Sequence, residues 1–148
     1  LYMGHSMPKC YQILKEDLKT SVPENFLEIY DQRIYEAFEE DIQPVKGVVD
    51  VLKALSLPKC VASNGRLEKM KITLGNTGLD QFFDGNIFSC DHVERPKPFP
   101  DLFLYAAESM QANPEKTLVI EDSINGVKGA RAAGMTVWGF SELVDAEA

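Results

Sequence analysis

The sequence contains few cysteines, and their number and spacing argue against two classes of protein. The three are Cys10, Cys60 and Cys90, separated by 50 and 30 residues. An odd and widely spaced set supplies neither a disulfide framework nor the closely spaced pairs that bind zinc. The sequence therefore predicts a protein of a reducing compartment, and we expect it in the cytoplasm.

Basic runs and long apolar runs are also absent. No stretch contains five consecutive Lys or Arg, and the formal net charge is -8. A chain of this charge repels nucleic-acid phosphates, so we expect no nucleic-acid partner. No apolar run approaches the roughly 20 residues that span a bilayer, and the first residues lack the basic-then-apolar pattern of an export signal. We therefore expect no membrane association.

The apolar sequence that is present suffices for one core. The chain has 148 residues and is 45% hydrophobic, which fits one domain with a small appendage. We expect residues 1–43 to form a helical hairpin with one apolar face and residues 44–148 to form the main core. In the first region, Pro8 can open one helix through about Lys19, and Pro23 can open a second. Apolar residues recur at helical spacing in that second helix: Phe26, Leu27, Tyr30, Ile34 and Phe38.

From residue 44 onward, short apolar runs alternate with longer amphipathic stretches. A helix between successive strands is typical of a parallel connection. The fold class is therefore predicted as α/β with a parallel sheet, whose apolar strands should be covered on both faces. The predicted strands are 59–62, 87–90, 117–120 and 136–140, and the predicted helices are 48–55, 67–74, 102–110 and 124–133.

A first candidate anion site follows the first predicted strand. Open α/β sheets place ligands at the carboxyl ends of their strands. Ser63 stands at such an end and precedes Asn64-Gly65, a tight turn whose backbone N–H groups can point at an anion. Arg66 could reach the same anion from the following helix. The alternatives are that Ser63 only caps that helix and that Arg66 is only solvated.

A second candidate is Lys97, which lies between two prolines. Pro96 and Pro98 restrict the backbone on either side, and Pro100 follows closely, so the position of Lys97 is stiff. A stiffly mounted ammonium suits the neutralisation of a phosphoryl group in a transition state. The alternative is an ordinary surface lysine in a proline-rich loop.

The third candidate is a pair of adjacent carboxylates, Glu121 and Asp122, at the end of an apolar strand. Successive strand residues face opposite ways, so we expect both to lie in a loop beyond the strand. Mg²⁺ takes one or two protein carboxylates and keeps water and phosphate oxygens. This predicts Asp122 as a direct ligand, with Glu121 binding through water. The alternative is that Asp122 or Ser123 only caps the next helix.

The remaining residues of interest are assigned to the helix after these carboxylates, to a turn or to the core, and not to a further site. Small residues at 126, 130 and 133 share one helix face and permit close packing, and Gly134 is expected to end that helix. The segment 82–85 contains an aspartate but is predicted to be a turn. Trp138 and the aromatic residues of the second helix are expected in the core, the alternative being that they stack on a ligand. His5 and His92 are too isolated to form a metal cluster.

Together these segments resemble the haloacid dehalogenase-like hydrolases. The resemblance is carried by residues 62–65, residues 97–101 and residues 121–135, where the sequence reads Glu-Asp-Ser-Ile-Asn-Gly and continues to Ala-Ala-Gly-Met. It is strongest to the subgroup of β-phosphoglucomutase and small sugar-phosphate phosphatases, and residues 63–70 look most like the 6-phosphogluconate phosphatase type. The resemblance implies that residues 1–43 are part of a helical cap and that residues 44–148 are part of a Rossmann-like core.

What the resemblance implies is phosphoryl transfer through an aspartyl-phosphate, with Mg²⁺ as the cofactor. The implied catalytic residues are Ser63 and Lys97, and the implied metal ligands are Asp122 and Glu121. Substrate phosphate would be bound by Ser63, Asn64, Gly65, Arg66 and Lys97, with His5 on the substrate-facing loop of the cap. The family's nucleophile lies in an Asp-x-Asp loop after the first strand, and no Asp-x-Asp occurs in this sequence. We therefore expect a piece of a longer protein that lacks this strand and loop and is inactive alone.

The function predicted for the intact protein is Mg²⁺-dependent hydrolysis of a small phosphorylated metabolite such as a sugar phosphate. One alternative is a phosphomutase, in which the phospho-aspartate survives while the intermediate reorients. Another is a phospho-ligand binding domain without a nucleophile. A monomer is favoured, although the sequence leaves the oligomeric state open.

Overall fold

A computed structural model describes residues 7–18, 22–23 and 25–141. Helices and strands alternate after the first two helices, as the sequence pattern predicts. Within the described residues, no helix is both long enough and apolar enough to cross a bilayer. In chain order the elements are α1 (Met7–Leu18), α2 (Phe26–Asp41), α3 (Val48–Ala54), β1 (Val61–Ser63), α4 (Leu67–Asn76), β2 (Ile87–Ser89), α5 (Asp101–Ser109), β3 (Leu118–Glu121), α6 (Ile124–Ala132) and β4 (Thr136–Gly139), with short 3₁₀ turns at Asp80–Phe82, Cys90–His92 and Pro114–Lys116.

The two helices predicted before residue 43 are present as α1 and α2, and they contact each other. The rings of Tyr11 and Phe26 stack with centroids 5.8 Å apart. The far end of α2 packs on α4, where Asn76 Nδ2 donates a 3.0 Å hydrogen bond to Phe38 O. The Lys69 ammonium lies 5.2 Å from the centre of the Phe38 ring. These contacts tie α2 to the α/β part of the chain; a domain boundary near residue 43 stays a prediction.

The four strands in the described residues pair in parallel, which confirms the predicted α/β class. Strand β1 pairs with β2, and Ser63 lies opposite Ser89. Strand β3 pairs with β4, and Glu121 lies opposite Gly139. Each pair is connected through a helix, α4 in the first and α6 in the second. The described strands thus form two parallel pairs rather than one continuous hydrogen-bonded sheet.

Helices α5 and α6 supply most of the core. Phe103 of α5 and Ala130 of α6 meet in one buried cluster, against which both Ala62 of β1 and Val119 of β3 pack. A second cluster joins Leu102 of α5 to Phe88 of β2. Because residues from both strand pairs pack on the same helices, the two pairs share one hydrophobic core.

The second strand pair corrects the expectation that the strands are covered on both faces. Val119 and Val137 point toward the helices, but Ile120 is 62% exposed and Trp138 is 63% exposed. Alternate side chains of a strand face opposite ways, and helices cover only one face of this pair in the part of the chain described here. The prediction that Trp138 lies in the core is therefore wrong.

Two predicted chain reversals are confirmed. Gly134 has φ +75°, and Met135 N donates to Ala130 O while Gly134 N donates to Arg131 O. These two bonds are the Schellman arrangement that ends a helix. In the segment 82–85, Asp84 and Gly85 both adopt positive φ, which makes this segment a tight turn.

Candidate active site

The predicted site residues converge on one cleft of about 520 Å³ between α2 and the carboxyl ends of β1 and β3. Its α/β wall includes every predicted site residue that the structure describes: Ser63, Asn64, Gly65, Arg66, Lys97, Glu121 and Asp122. His5 lies outside the described residues. The opposite wall comes from α2, through Tyr30, Asp31, Ile34 and Tyr35.

Lys97 is buried at the base of this cleft, with 8% of the residue exposed. Its ammonium donates to Ala62 O at 2.9 Å and forms an ion pair and hydrogen bond with Glu121 Oε1. It also lies 4.7 Å from the centre of the Phe103 ring. The buried charge is therefore balanced by one carboxylate and oriented by a backbone carbonyl of β1. Lys97 is not the ordinary surface lysine of the alternative interpretation.

Glu121 completes this ion pair and is held from a second direction. Its Oε2 accepts hydrogen bonds from Ser123 Oγ at 3.0 Å and from Ser123 N at 3.3 Å. A Cβ atom added to Gly126 would overlap the Glu121 carboxylate. The absence of a side chain at position 126 therefore makes room for the carboxylate. Sequence reasoning assigned Gly126 only to close helix packing.

The expectation that both carboxylates lie in a loop is wrong for Glu121. Glu121 is the last residue of β3 and pairs with Gly139, and its carbonyl accepts from Phe140 N at 2.7 Å. This further backbone bond continues the ladder one residue beyond the predicted strand. Because Asp122 follows the strand end, Glu121 is buried and Asp122 is exposed, yet both border the cleft.

Asp122 is the carboxylate whose surroundings suit a cation. Both Glu121 oxygens already have hydrogen-bond partners, whereas Asp122 is exposed at the cleft. Among the described residues, no group of three or more His, Cys, Asp or Glu side chains could form a metal cage. One carboxylate supplemented by water and phosphate oxygens is an ordinary coordination for Mg²⁺. The helix cap after it is Ser123, whose Oγ accepts from Gly126 N.

Ser63 lies at the end of β1 with its hydroxyl oriented by the next turn. Its Oγ accepts a 3.0 Å hydrogen bond from Gly65 N. Since that bond uses a lone pair, the hydroxyl proton can still be donated to an anion in the cleft. Ser63 does not cap α4: the N-cap residue is Arg66, whose side chain makes no capping bond.

The loop after Ser63 is instead held by the end of β2, which sequence reasoning missed. Ser89 is fully buried, and its Oγ donates to Gly65 O at 2.9 Å. Asp91 Oδ2 accepts from Leu67 N at 2.8 Å, in the first turn of α4. This backbone hydrogen bond is the main reason that the pKa of Asp91 lies below its ordinary value. No local pattern predicts these two bonds, because each joins residues 24 positions apart.

Asn64 makes two hydrogen bonds to one residue far away in sequence. Its Nδ2 donates to Lys97 O at 3.0 Å, and its Oδ1 accepts from Lys97 N at 3.0 Å. The first candidate segment thus contacts the second directly. The sequence predicted that both segments serve one site but gave no sign of this contact.

The wall formed by α2 contains two phenol groups, those of Tyr30 and Tyr35. Burial raises the pKa of Tyr35, and the nearby carboxylates of Glu68 and Asp31 raise it further. Burial likewise is the main cause of the raised pKa of Tyr30. Both phenols therefore stay protonated at neutral pH, and both residues line the cleft. Sequence reasoning treated these side chains only as apolar, because helical spacing identifies a face but not what it contacts.

Comparisons with known proteins agree with this arrangement. A family model for haloacid dehalogenase-like hydrolases matches residues 4–134. The 6-phosphogluconate phosphatase of Escherichia coli K12 is 31% identical over 112 residues, which are 76% of this chain and 51% of that protein. The fructose-1-phosphate phosphatase YqaB of the same organism is 35% identical over 98 residues, 65% of this chain and 51% of that protein.

Structural comparison gives the same family. The crystal structure of a conserved haloacid dehalogenase-like protein from Agrobacterium tumefaciens matches with a TM-score of 0.80 and 30% identity, covering 93% of this chain and 63% of that chain. The chain spans about half the length of the curated relatives that it matches. On the family match and this shared fold, the chain belongs to the haloacid dehalogenase-like hydrolases.

Proposed function

We propose that the intact protein is a phosphatase that hydrolyses small phosphomonoesters, sugar phosphates in particular. The observation that carries the proposal is that Ser63, Lys97 and Asp122 border one cleft although they come from three separate segments. A hydroxyl donor, a buried ammonium and an exposed carboxylate suit a phosphoryl group that is bound together with Mg²⁺. The phosphatase names of the two curated relatives support the same reaction class.

Each residue has a role that follows from its contacts. The Ser63 hydroxyl would donate to a phosphoryl oxygen, because Gly65 N already occupies one of its lone pairs. The Lys97 ammonium would balance negative charge on the phosphoryl group, and Glu121 would hold that ammonium in place. Asp122 would hold Mg²⁺, which when bound supplies positive charge next to the phosphate. Arg66, at the exposed rim, would attract the anionic substrate.

The nucleophile of this proposal lies outside the 148 residues. A carboxylate oxygen attacks phosphorus, the ester oxygen leaves, and water then releases inorganic phosphate from the aspartyl-phosphate. No Asp-x-Asp occurs in the sequence. We therefore place the nucleophile in a further segment of the intact protein. This also leads us to propose that these 148 residues have no turnover of their own.

The α2 wall supports a polyhydroxylated leaving group. Tyr30 and Tyr35 offer protonated phenols, and Asp31 offers a carboxylate that accepts hydrogen bonds. Donors and acceptors opposite a phosphate site suit the hydroxyl groups of a sugar better than a purely apolar alcohol. Since α2 faces the α/β wall across the cleft, we propose that it acts as a cap over the substrate.

The test is a phosphate-release assay of the intact protein with a panel of phosphomonoesters, with and without Mg²⁺. The panel includes fructose 1-phosphate, 6-phosphogluconate and an aryl phosphate without hydroxyl groups. We expect Mg²⁺-dependent release, fastest with a sugar phosphate. Asp122→Asn should abolish the Mg²⁺-dependent release of phosphate. Asp84→Asn, in an exposed turn outside the cleft lining, is the matched control.

The same assay separates the alternatives. Conversion of a sugar phosphate to an isomer without net phosphate release would identify a phosphomutase. Substrate binding without turnover in the intact protein would identify a binding domain. Equal rates for wild type and Asp122→Asn at every Mg²⁺ concentration would overturn the metal assignment.

A further inference from the structure

We propose that Asn64 is a positioning residue for Lys97 rather than a ligand of the substrate phosphate. The inference rests on the proposed function, because it assigns Lys97 to the phosphoryl group. It changes the role implied for Asn64 by the sequence resemblance. This positioning role also explains why an amide side chain follows Ser63 in the sequence.

The loop that carries Lys97 has few backbone N–H donors. Pro96, Pro98 and Pro100 have no backbone N–H, so only Lys97 and Phe99 can donate from this stretch. Phe99 N bonds within the loop, to Pro96 O. The loop pairs with none of the described strands. The peptide groups of Lys97 therefore need another partner.

Asn64 provides that partner. A side-chain amide has the same donor and acceptor as a peptide group, and Asn64 uses one of each on Lys97, at 3.0 Å and 3.0 Å. The pair of bonds imitates one rung of a β-ladder. Ala has neither group, and Ser has its donor and acceptor on a single oxygen, so neither side chain provides the paired amide donor and acceptor.

The same short segment also fixes the other end of Lys97. Ala62, two residues before Asn64, accepts the 2.9 Å hydrogen bond from the Lys97 ammonium. The backbone and the ammonium of Lys97 are thus both hydrogen-bonded to residues 62–64, next to the hydroxyl of Ser63. Loss of the Asn64 amide would free the backbone end, and the ammonium would shift relative to Ser63. A shift of about 1 Å in a catalytic group can cost about 100-fold in rate.

The kinetic test compares Asn64→Ala with wild type in the intact protein. We expect kcat to fall about 100-fold with KM and inhibition by inorganic phosphate changed less than about threefold. The double variant with Lys97→Ala should be no slower than Lys97→Ala alone, because Asn64 acts through Lys97. Asn113→Ala removes a side-chain cap outside the cleft lining and is the matched control. A rise in KM with unchanged kcat, or additive losses in the double variant, would overturn the proposal.

A second measurement does not depend on activity. Acetylation by sulfosuccinimidyl acetate, followed by mass spectrometry, should label the buried Lys97 slowly and the exposed Lys128 quickly in the wild type. Asn64→Ala should speed Lys97 labelling about tenfold with Lys128 unchanged. If Asn64→Ala does not fold, Asn64→Asp keeps the acceptor for Lys97 N and should give a smaller acceleration. Unchanged Lys97 labelling in a folded Asn64 variant would overturn the proposal.

If the wild type hydrolyses none of the phosphomonoesters, the proposed function fails, and labelling alone still decides whether Asn64 positions Lys97.

Discussion

The two parallel strand pairs have similarly apolar sequences but very different surroundings. In the first pair, Phe88 and Ser89 are buried against α5 and the loop after β1. In the second, Ile120 and Trp138 are more than 60% exposed. The difference shows that apolar content alone does not decide burial, because a strand is buried only where another element covers its face.

The candidate site lies where the two pairs come together. Lys97 bonds to the carbonyl of Ala62 in β1 and to the carboxylate of Glu121 at the end of β3. Since β1 and β3 are not hydrogen-bonded to each other, this side chain links the two pairs at the cleft. The residues proposed for function therefore also contribute to the cohesion of the fold.

The largest expected effect comes from breaking that link. Lys97→Met keeps the aliphatic stem but leaves the Glu121 carboxylate buried without its cation, which costs about 3–5 kcal/mol for buried ion pairs. In the intact protein we expect kcat to fall about 10²–10³-fold as well. Urea unfolding and phosphate release measure the two effects. Lys128→Met, at an exposed position of α6, is the control, and an equal effect of the two variants would contradict the role of Lys97.

A matched pair of aromatic truncations tests the difference in coverage. Phe88→Ala should lower the free energy of unfolding by about 3–5 kcal/mol, because it empties a buried site. Trp138→Ala should cost less than about 1 kcal/mol, since the ring is 63% exposed. Urea unfolding of both variants gives the comparison. A loss at Trp138 as large as at Phe88 in the intact protein would mean that a further segment covers the second pair.

A glycine pair tests the space around the Glu121 carboxylate. Gly126→Ala would place a methyl group on that carboxylate, so we expect a loss of about 1–3 kcal/mol from overpacking. Gly75→Ala lies in α4, where an added Cβ meets nothing within 4 Å. This second change should stabilise the protein by about 0.4–1 kcal/mol. Thermal unfolding of the two variants should therefore shift in opposite directions, and a shared direction would contradict the packing argument.

A smaller loss than at Phe88 or Lys97 is expected at the first turn of α4. Asp91→Ala removes the acceptor for Leu67 N and should cost about 1 kcal/mol at pH 7. The pKa of Asp91 is lowered by folding, so its stabilisation is complete above the ordinary Asp pKa of about 3.9. The stabilisation is lost as the pH falls through the lower folded-state pKa. The difference between wild type and variant should therefore shrink toward pH 2, and a difference independent of pH would contradict the capping role.

Much of the fold could be predicted because local patterns specify it. Apolar runs and helical spacing located each strand and α-helix of the described residues to within a few residues, and Gly134 marked the end of α6. Glu121 was assigned to a loop because successive strand residues face opposite ways and both carboxylates were expected at one site. The strand pairing nevertheless includes Glu121, whose carbonyl accepts from Phe140 N. Long-range contacts leave no such local pattern, as the Asn64–Lys97 pair and the Ser89–Gly65 bond show.

By itself, the sequence determined the alternation of strands and helices, the family resemblance and the residue types that could bind a phosphate, since spacing and turn chemistry act over a few residues. Only the tertiary structure decided how those residues are arranged. Lys97 is buried on Glu121 and Asp122 is exposed because β3 ends between the two carboxylates. Trp138 is exposed because the described helices pack on one face of its strand pair.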